Sequence, residues 1–109
     1  MRERRQYRRV NVSFPVECKV LHQRGYFYTV SKDLSIGGAR ILSDKFLPKG
    51  NLIKVNINLI NRVVGLKAKV AWCNKERIAE RYSAGLEFLE MDEGDKETLV
   101  SFLSTVYHA

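Results

Sequence analysis

Two cysteines, two histidines and two prolines are all that 109 residues contain, and this scarcity excludes several chemistries at once. Cys18 and Cys73 lack metal-ligand spacing, and Cys18 falls in phase with Val16 and Val20, so both read as small apolar fillers rather than ligands or redox thiols. His22 and His108 have no partner motif and are expected at the surface. There is no nucleophile with a paired base, no metal cluster and no carboxylate pair with a supporting motif, so catalysis is not expected. Nowhere does the chain approach the roughly 20 consecutive apolar residues of a membrane span, and its basic start is not followed by a signal-peptide core. A soluble, cytoplasmic protein with no membrane partner and no bound metal or cofactor is the expectation.

What the chain does have is enough apolar material for one core, 45% hydrophobic with 10% aromatic, and an uneven net charge of +7. The first nine residues carry Arg2, Arg4, Arg5, Arg8 and Arg9 against Glu3. Acids gather instead near the other end: Glu87, Glu90, Asp92, Glu93, Asp95 and Glu97 stand against Lys96 alone. The remainder of the chain is strongly basic and should attract anions, a phosphate-bearing partner first among them.

Period-two alternation dominates the middle of the chain. Val10, Val12, Phe14, Val16, Cys18 and Val20 share one face of a first strand, with Pro15 expected at an edge, a bulge or a bend. "YFYTVSKDLS" reads as a second strand ending near Leu34, and Gly37 and Gly38 turn the chain into a short third strand with Ala39 and Ile41 inward. Ile53, Val55, Ile57 and Leu59 mark a fourth, joined by a turn at Asn61 and Arg62 to a fifth that carries Leu66, Ala68, Val70 and Trp72 inward. A sixth has Tyr82, Ala84, Leu86 and Phe88 on one face.

The period then changes to that of a helix over about residues 93–107, with Asp92 as N-cap and Leu99, Phe102, Leu103 and Val106 on the apolar face. Its acids fall in the first turn, where the helix dipole favours them. The fold class predicted is all-β with one C-terminal helix: a six-stranded antiparallel, split-barrel-like closure behind a flexible arginine-rich N-terminal segment. The expected division of the single domain is leader 1–9, barrel 10–90 and helix 91–109. No β-α-β alternation supports a doubly wound nucleotide fold.

Two stretches carry the chemistry. In "MRERRQYRRV" several guanidinium forks lie on one strip and can meet phosphate oxygens or a guanine edge bidentately, although the arginines alone also fit a basic tail with general affinity for polyanions. In "DLSIGG", from Asp33 to Gly38, a carboxylate, a hydroxyl and glycines form an ordinary turn; the same parts make a corner that accepts guanine N1-H and N2-H.

Taken together, "RxxxR" before the first strand and "DxSxxG" between the second and third resemble the PilZ domain family. "KVAW" at Trp72, "GLEF" at Gly85 and "MDEGDKETLVSFL" extend that resemblance over nearly the whole chain. It implies a receptor for the bacterial second messenger cyclic di-GMP, with Arg5 and Arg9 as a clamp and Asp33, Ser35 and Gly38 lining the base-reading corner. A basic residue directly before the first motif arginine, here Arg4, goes in this family with binding an intercalated dimer of the ligand. Arg8 is a departure from the family pattern, and Arg4 with Arg8 offers a second register for "RxxxR". Tyr7 and Trp72 are possible stacking residues left outside the expected site, Trp72 because its phase assigns it to the core. Signalling is expected through ordering of the N-terminal segment, read by a downstream protein partner. The rivals are a protein-interaction adaptor without nucleotide and a basic barrel binding single-stranded nucleic acid non-specifically; no specific DNA or RNA is expected.

Overall fold

A computed structural model describes residues 13–108. The leader, with Arg4, Arg5 and Arg9, and the first two apolar positions of the expected strand, Val10 and Val12, lie outside the described residues. Six strands follow: β1 (Phe14–Val20), β2 (Phe27–Lys32), β3 (Gly38–Ser43), β4 (Leu52–Asn58), β5 (Val63–Lys75) and β6 (Tyr82–Glu90), then one helix, α1 (Glu93–His108). All pairings are antiparallel, and the strands close into a barrel in the order β1-β2-β3-β6-β5-β4.

Alternation decides what the barrel encloses. Phe14, Val16, Cys18 and Val20 of β1, Ile53, Val55 and Ile57 of β4, and Leu66, Ala68 and Val70 of β5 all point inward and are buried. Pro15 sits where it does no harm to the ladder, since β1 meets β4 only from Val16 onward. Cys18 is wholly enclosed, and burial, with the Glu17 charge adding to it, pushes its thiol up to about 12.

The helix closes one end. Asp92 accepts a hydrogen bond from the Asp95 N–H at 2.8 Å, capping the first turn, and Asp95 in turn accepts from the Gly65 N–H of β5 at 3.2 Å. Leu99 is completely buried against the core, while Phe102 meets Phe14 edge-on with ring centroids 5.2 Å apart. The acidic first turn therefore both complements the helix dipole and ties α1 to the barrel wall.

One expectation fails in β5. The β5–β6 register shifts between Val70 and Trp72, so the alternation slips there: Val70 is fully buried and Trp72 is 41% exposed. An extra residue at a β-bulge turns every later side chain over, and the indole leaves the core for the outer surface.

Candidate functional site

The turn from Asp33 to Gly38 is held from inside. Leu34 is buried in the core, and Ser35, only 2% exposed, spends its hydroxyl locally: Oγ donates to the Gly38 carbonyl and accepts from the N–H groups of Gly37 and Gly38, each at 3.2 Å. A backbone bond from Ser35 N–H to the Gly38 carbonyl, 2.9 Å, closes the same loop. These bonds leave Asp33 on the outer side of the turn, at φ 52, a left-handed conformation that aspartate tolerates better than most residues. Its carboxylate accepts a hydrogen bond from Arg40 Nε at 3.3 Å, and Arg40 Nη1 donates to Ser83 Oγ of β6 at 3.3 Å.

Two glycines let β6 come close to its neighbours. A Cβ on Gly38 would run into the backbone carbonyl oxygen of Leu86, so β3 approaches β6 here as only glycine allows. Gly85 stands directly opposite Trp72 in the register, and a Cβ there would strike the indole ring. The ring thus lies across the missing side chain of β6 with its other surface toward solvent.

These pieces converge on one hollow of about 450 Å³ on the outside of the β3-β6-β5 wall, bordered by Asp33, Gly38, Arg40, Trp72, Gly85 and Glu87. Its volume is in the range of pockets for small molecules. A carboxylate acceptor, a guanidinium donor and an indole face around one space suit a planar heterocycle with N–H donors on an edge and a negative group nearby. Among the described residues no group of three or more His, Cys, Asp or Glu side chains could hold a metal ion.

Of the residues expected from sequence, Asp33 and Gly38 border the hollow, whereas Ser35 supports the turn from beneath it. Arg4, Arg5 and Arg9 lie outside the described residues, as do Tyr7 and Arg8. Arg40 and Gly85 border the hollow without having been among the expected site residues, and Trp72, a stacking candidate assigned to the core by its phase, borders it as well. A glycine inside the strand pattern "YSAGLEF" was the available signal, since a strand glycine often marks a close approach. Nothing in the phase of β5 flagged Trp72, because period counting does not see a bulge.

The chain is thus a small closed barrel of six antiparallel strands with a C-terminal helix packed against it and a polar-aromatic hollow on its wall. The chain belongs to the PilZ domain family, whose pattern matches residues 3–105. Solved structures with the same fold include the Bacillus subtilis inhibitor of motility MotI/DgrA, at TM-score 0.81 and 23% identity over 96% of this chain and 51% of that one. The PilZ domain of YcgR from Escherichia coli with c-di-GMP matches at TM-score 0.77 and 15% identity, covering 97% of this chain and 93% of that one. The K. pneumonia MrkH complex with c-di-GMP matches at TM-score 0.74 and 16% identity, over 96% and 53%. The chain therefore spans about half the length of MotI/DgrA and MrkH and nearly all of the YcgR domain. No curated protein sequence matches it.

Proposed function

We propose that this chain is a cyclic di-GMP receptor domain whose pocket is the hollow between Asp33, Arg40 and Trp72. The observation that carries the reading is the convergence, on a PilZ barrel, of the "DxSxxG" carboxylate with an exposed indole seated on Gly85. Asp33 accepts from the guanine N1-H and N2-H edge, Trp72 offers a face for the base to stack on, and Arg40 holds the Asp33 carboxylate toward the hollow. Ser35 acts one step back, by fixing the turn from which Asp33 projects.

The phosphates fall to the leader. Phe14 pairs with Ser31, two residues before Asp33, so the described chain begins beside the pocket. Arg9 precedes Ser13 by four residues, a reach of up to about 14 Å at full extension. Arg5 and Arg9 clamp the ligand in this reading, and Arg4 adds the charge that an intercalated dimer with four phosphodiesters calls for. Binding draws the arginines together over the barrel, and that change of shape and surface charge is the signal a partner protein reads. YcgR and MrkH, solved with c-di-GMP, lend support through a shared fold.

Titration calorimetry with cyclic di-GMP tests this on the wild type and on Arg5→Ala, Arg9→Ala and Asp33→Ala. Binding by the wild type and loss of about tenfold or more in each variant are expected. Silence from the wild type, or equal binding by all four proteins, refutes the reading. A stoichiometry near two ligands per chain is expected from Arg4, and a value near one removes the dimer.

A further inference from the structure

We propose that the open seam between β2 and β3 is a docking site for an extended acidic peptide segment of a partner protein, which adds to the barrel as an extra strand. This goes beyond the nucleotide reading and stands without it.

The barrel closes weakly at one place. β2 pairs with β3 through Ser31↔Ile41 and Lys32↔Arg40 only, while the same β2 pairs with β1 over five positions, from Phe14↔Ser31 to Cys18↔Phe27. From residue 27 to residue 30, β2 has lost its β3 neighbour, and β3 at Leu42 and Ser43 has lost its β2 neighbour. Strand edges of this kind present backbone N–H and C=O groups in a row, which an incoming extended chain can satisfy. Between the diverging edges lies a groove of about 680 Å³, bordered by Phe27, Tyr28, Val30, Leu42 and Arg81. Four residues of strand are about 13 Å long, enough to pair with about four residues of a longer peptide.

The surroundings look like an interface rather than a plain surface. Tyr28 is 73% exposed, and Tyr26 and Phe46 are each 55% exposed on the adjoining loops. A second hollow of about 180 Å³ shares Phe27, Ser43 and Asp44 with the groove and continues it past Tyr26 and Phe46. Exposed aromatics beside arginine are the composition of binding patches, not of ordinary protein surface.

Charge and backbone geometry choose the occupant. Arg24, Lys45 and Arg81 stand around the two hollows, and Asp44 is the one acid lining them. Among the described residues, Arg24 and Lys45 take part in no ion pair, whereas Arg81 meets Glu76 at 2.8 Å. A basic rim favours an acidic partner, and unpaired strand edges favour a peptide, whose alternating donors and acceptors match them, over a nucleic acid.

The test uses the wild-type chain and a six-residue peptide of alternating glutamate and valine, followed through the backbone amide signals of the protein. Binding should shift the amides of residues 27–30 and 42–43 and slow their hydrogen exchange. Methylating alternate peptide nitrogens on the ladder side should weaken binding about tenfold, as should replacing every glutamate by lysine. A protein carrying Arg24→Glu and Lys45→Glu, both exposed positions, should reverse the preference between the two peptides. No binding up to about 1 mM, equal binding of the N-methylated peptide, shifts confined to other strands, or tighter binding of an oligothymidylate at the same amides would each overturn the proposal.

Discussion

Replacing Trp72 by alanine separates the two places an indole on β5 could occupy, because each predicts a different pair of numbers. Fully inside a barrel, a tryptophan truncation costs about 3–5 kcal/mol of stability. Here the ring is 41% exposed and seated over a glycine, so its removal uncovers a surface groove rather than an internal cavity. A stability loss of about 1 kcal/mol is expected, from the partial burial alone. Affinity should suffer more. Stacking of a base on an aromatic side chain is worth about 1–3 kcal/mol, which weakens binding roughly 5- to 150-fold when the ring is lost. Trp72→Phe should keep most of that affinity. Since Trp72 is the sole tryptophan, its emission reports the site directly, and cyclic di-GMP should change it in the wild type. Denaturant melts and calorimetry on the three proteins supply the comparison. A stability loss above about 3 kcal/mol with unchanged affinity would return Trp72 to the core and remove it from the pocket.

The two close-approach glycines should respond differently to alanine. Gly38→Ala drives a methyl into the backbone of Leu86, which cannot swing away, so melting should show a loss of about 2 kcal/mol or more together with weaker ligand binding. Gly85→Ala meets a side chain instead; a displaced indole should lower affinity with a smaller stability loss, and unchanged affinity would contradict the stacking role. Cys18 makes a pH prediction. Its folded thiol is raised from 9.0 to about 12, so its contribution to stability is complete below pH 9 and falls away as pH climbs toward 12. Wild type minus Cys18→Ala, compared by melts across pH 8 to 11, should show that loss; a flat difference would contradict it. Leu99→Ala, at a fully buried contact of α1, should cost about 2–5 kcal/mol and loosen the helix from the barrel in hydrogen exchange.

Much of the barrel was legible because its strands are half-buried, so the chain writes inside and outside as alternate letters. Phe14 to Val20, Ile53 to Ile57 and Leu66 to Val70 follow that rule, and their faces are those read from the sequence. The Asp92 cap was legible too, since a carboxylate ahead of a helical period has one obvious use. Trp72 was not, because one bulge residue reverses the phase without altering composition. Arg40 was hidden for another reason. An outward arginine on a strand is commonplace, and its partner Asp33 is seven residues away across a turn that sequence does not draw. Ser35 shows a limit of motifs: the letters "DxSxxG" do not distinguish a hydroxyl that meets a ligand from one that holds the turn, and here the hydroxyl holds the turn.

The seam between β2 and β3 adds a physical suggestion about architecture. The pair that bounds its open stretch is Ser31↔Ile41, and the next pair, Lys32↔Arg40, brings in the partner of Asp33 in the hollow. Pocket and seam are therefore separated by two residue pairs of one ladder.

The most direct measurement of the central claim is a map of backbone amide and indole N–H shifts as cyclic di-GMP is added to the full chain. The largest changes are expected at Asp33, Gly37, Gly38, Arg40 and residues 85–87, with the Trp72 indole signal moving alongside them. Shifts that avoid these residues, or an unchanged spectrum at saturating ligand, would contradict it.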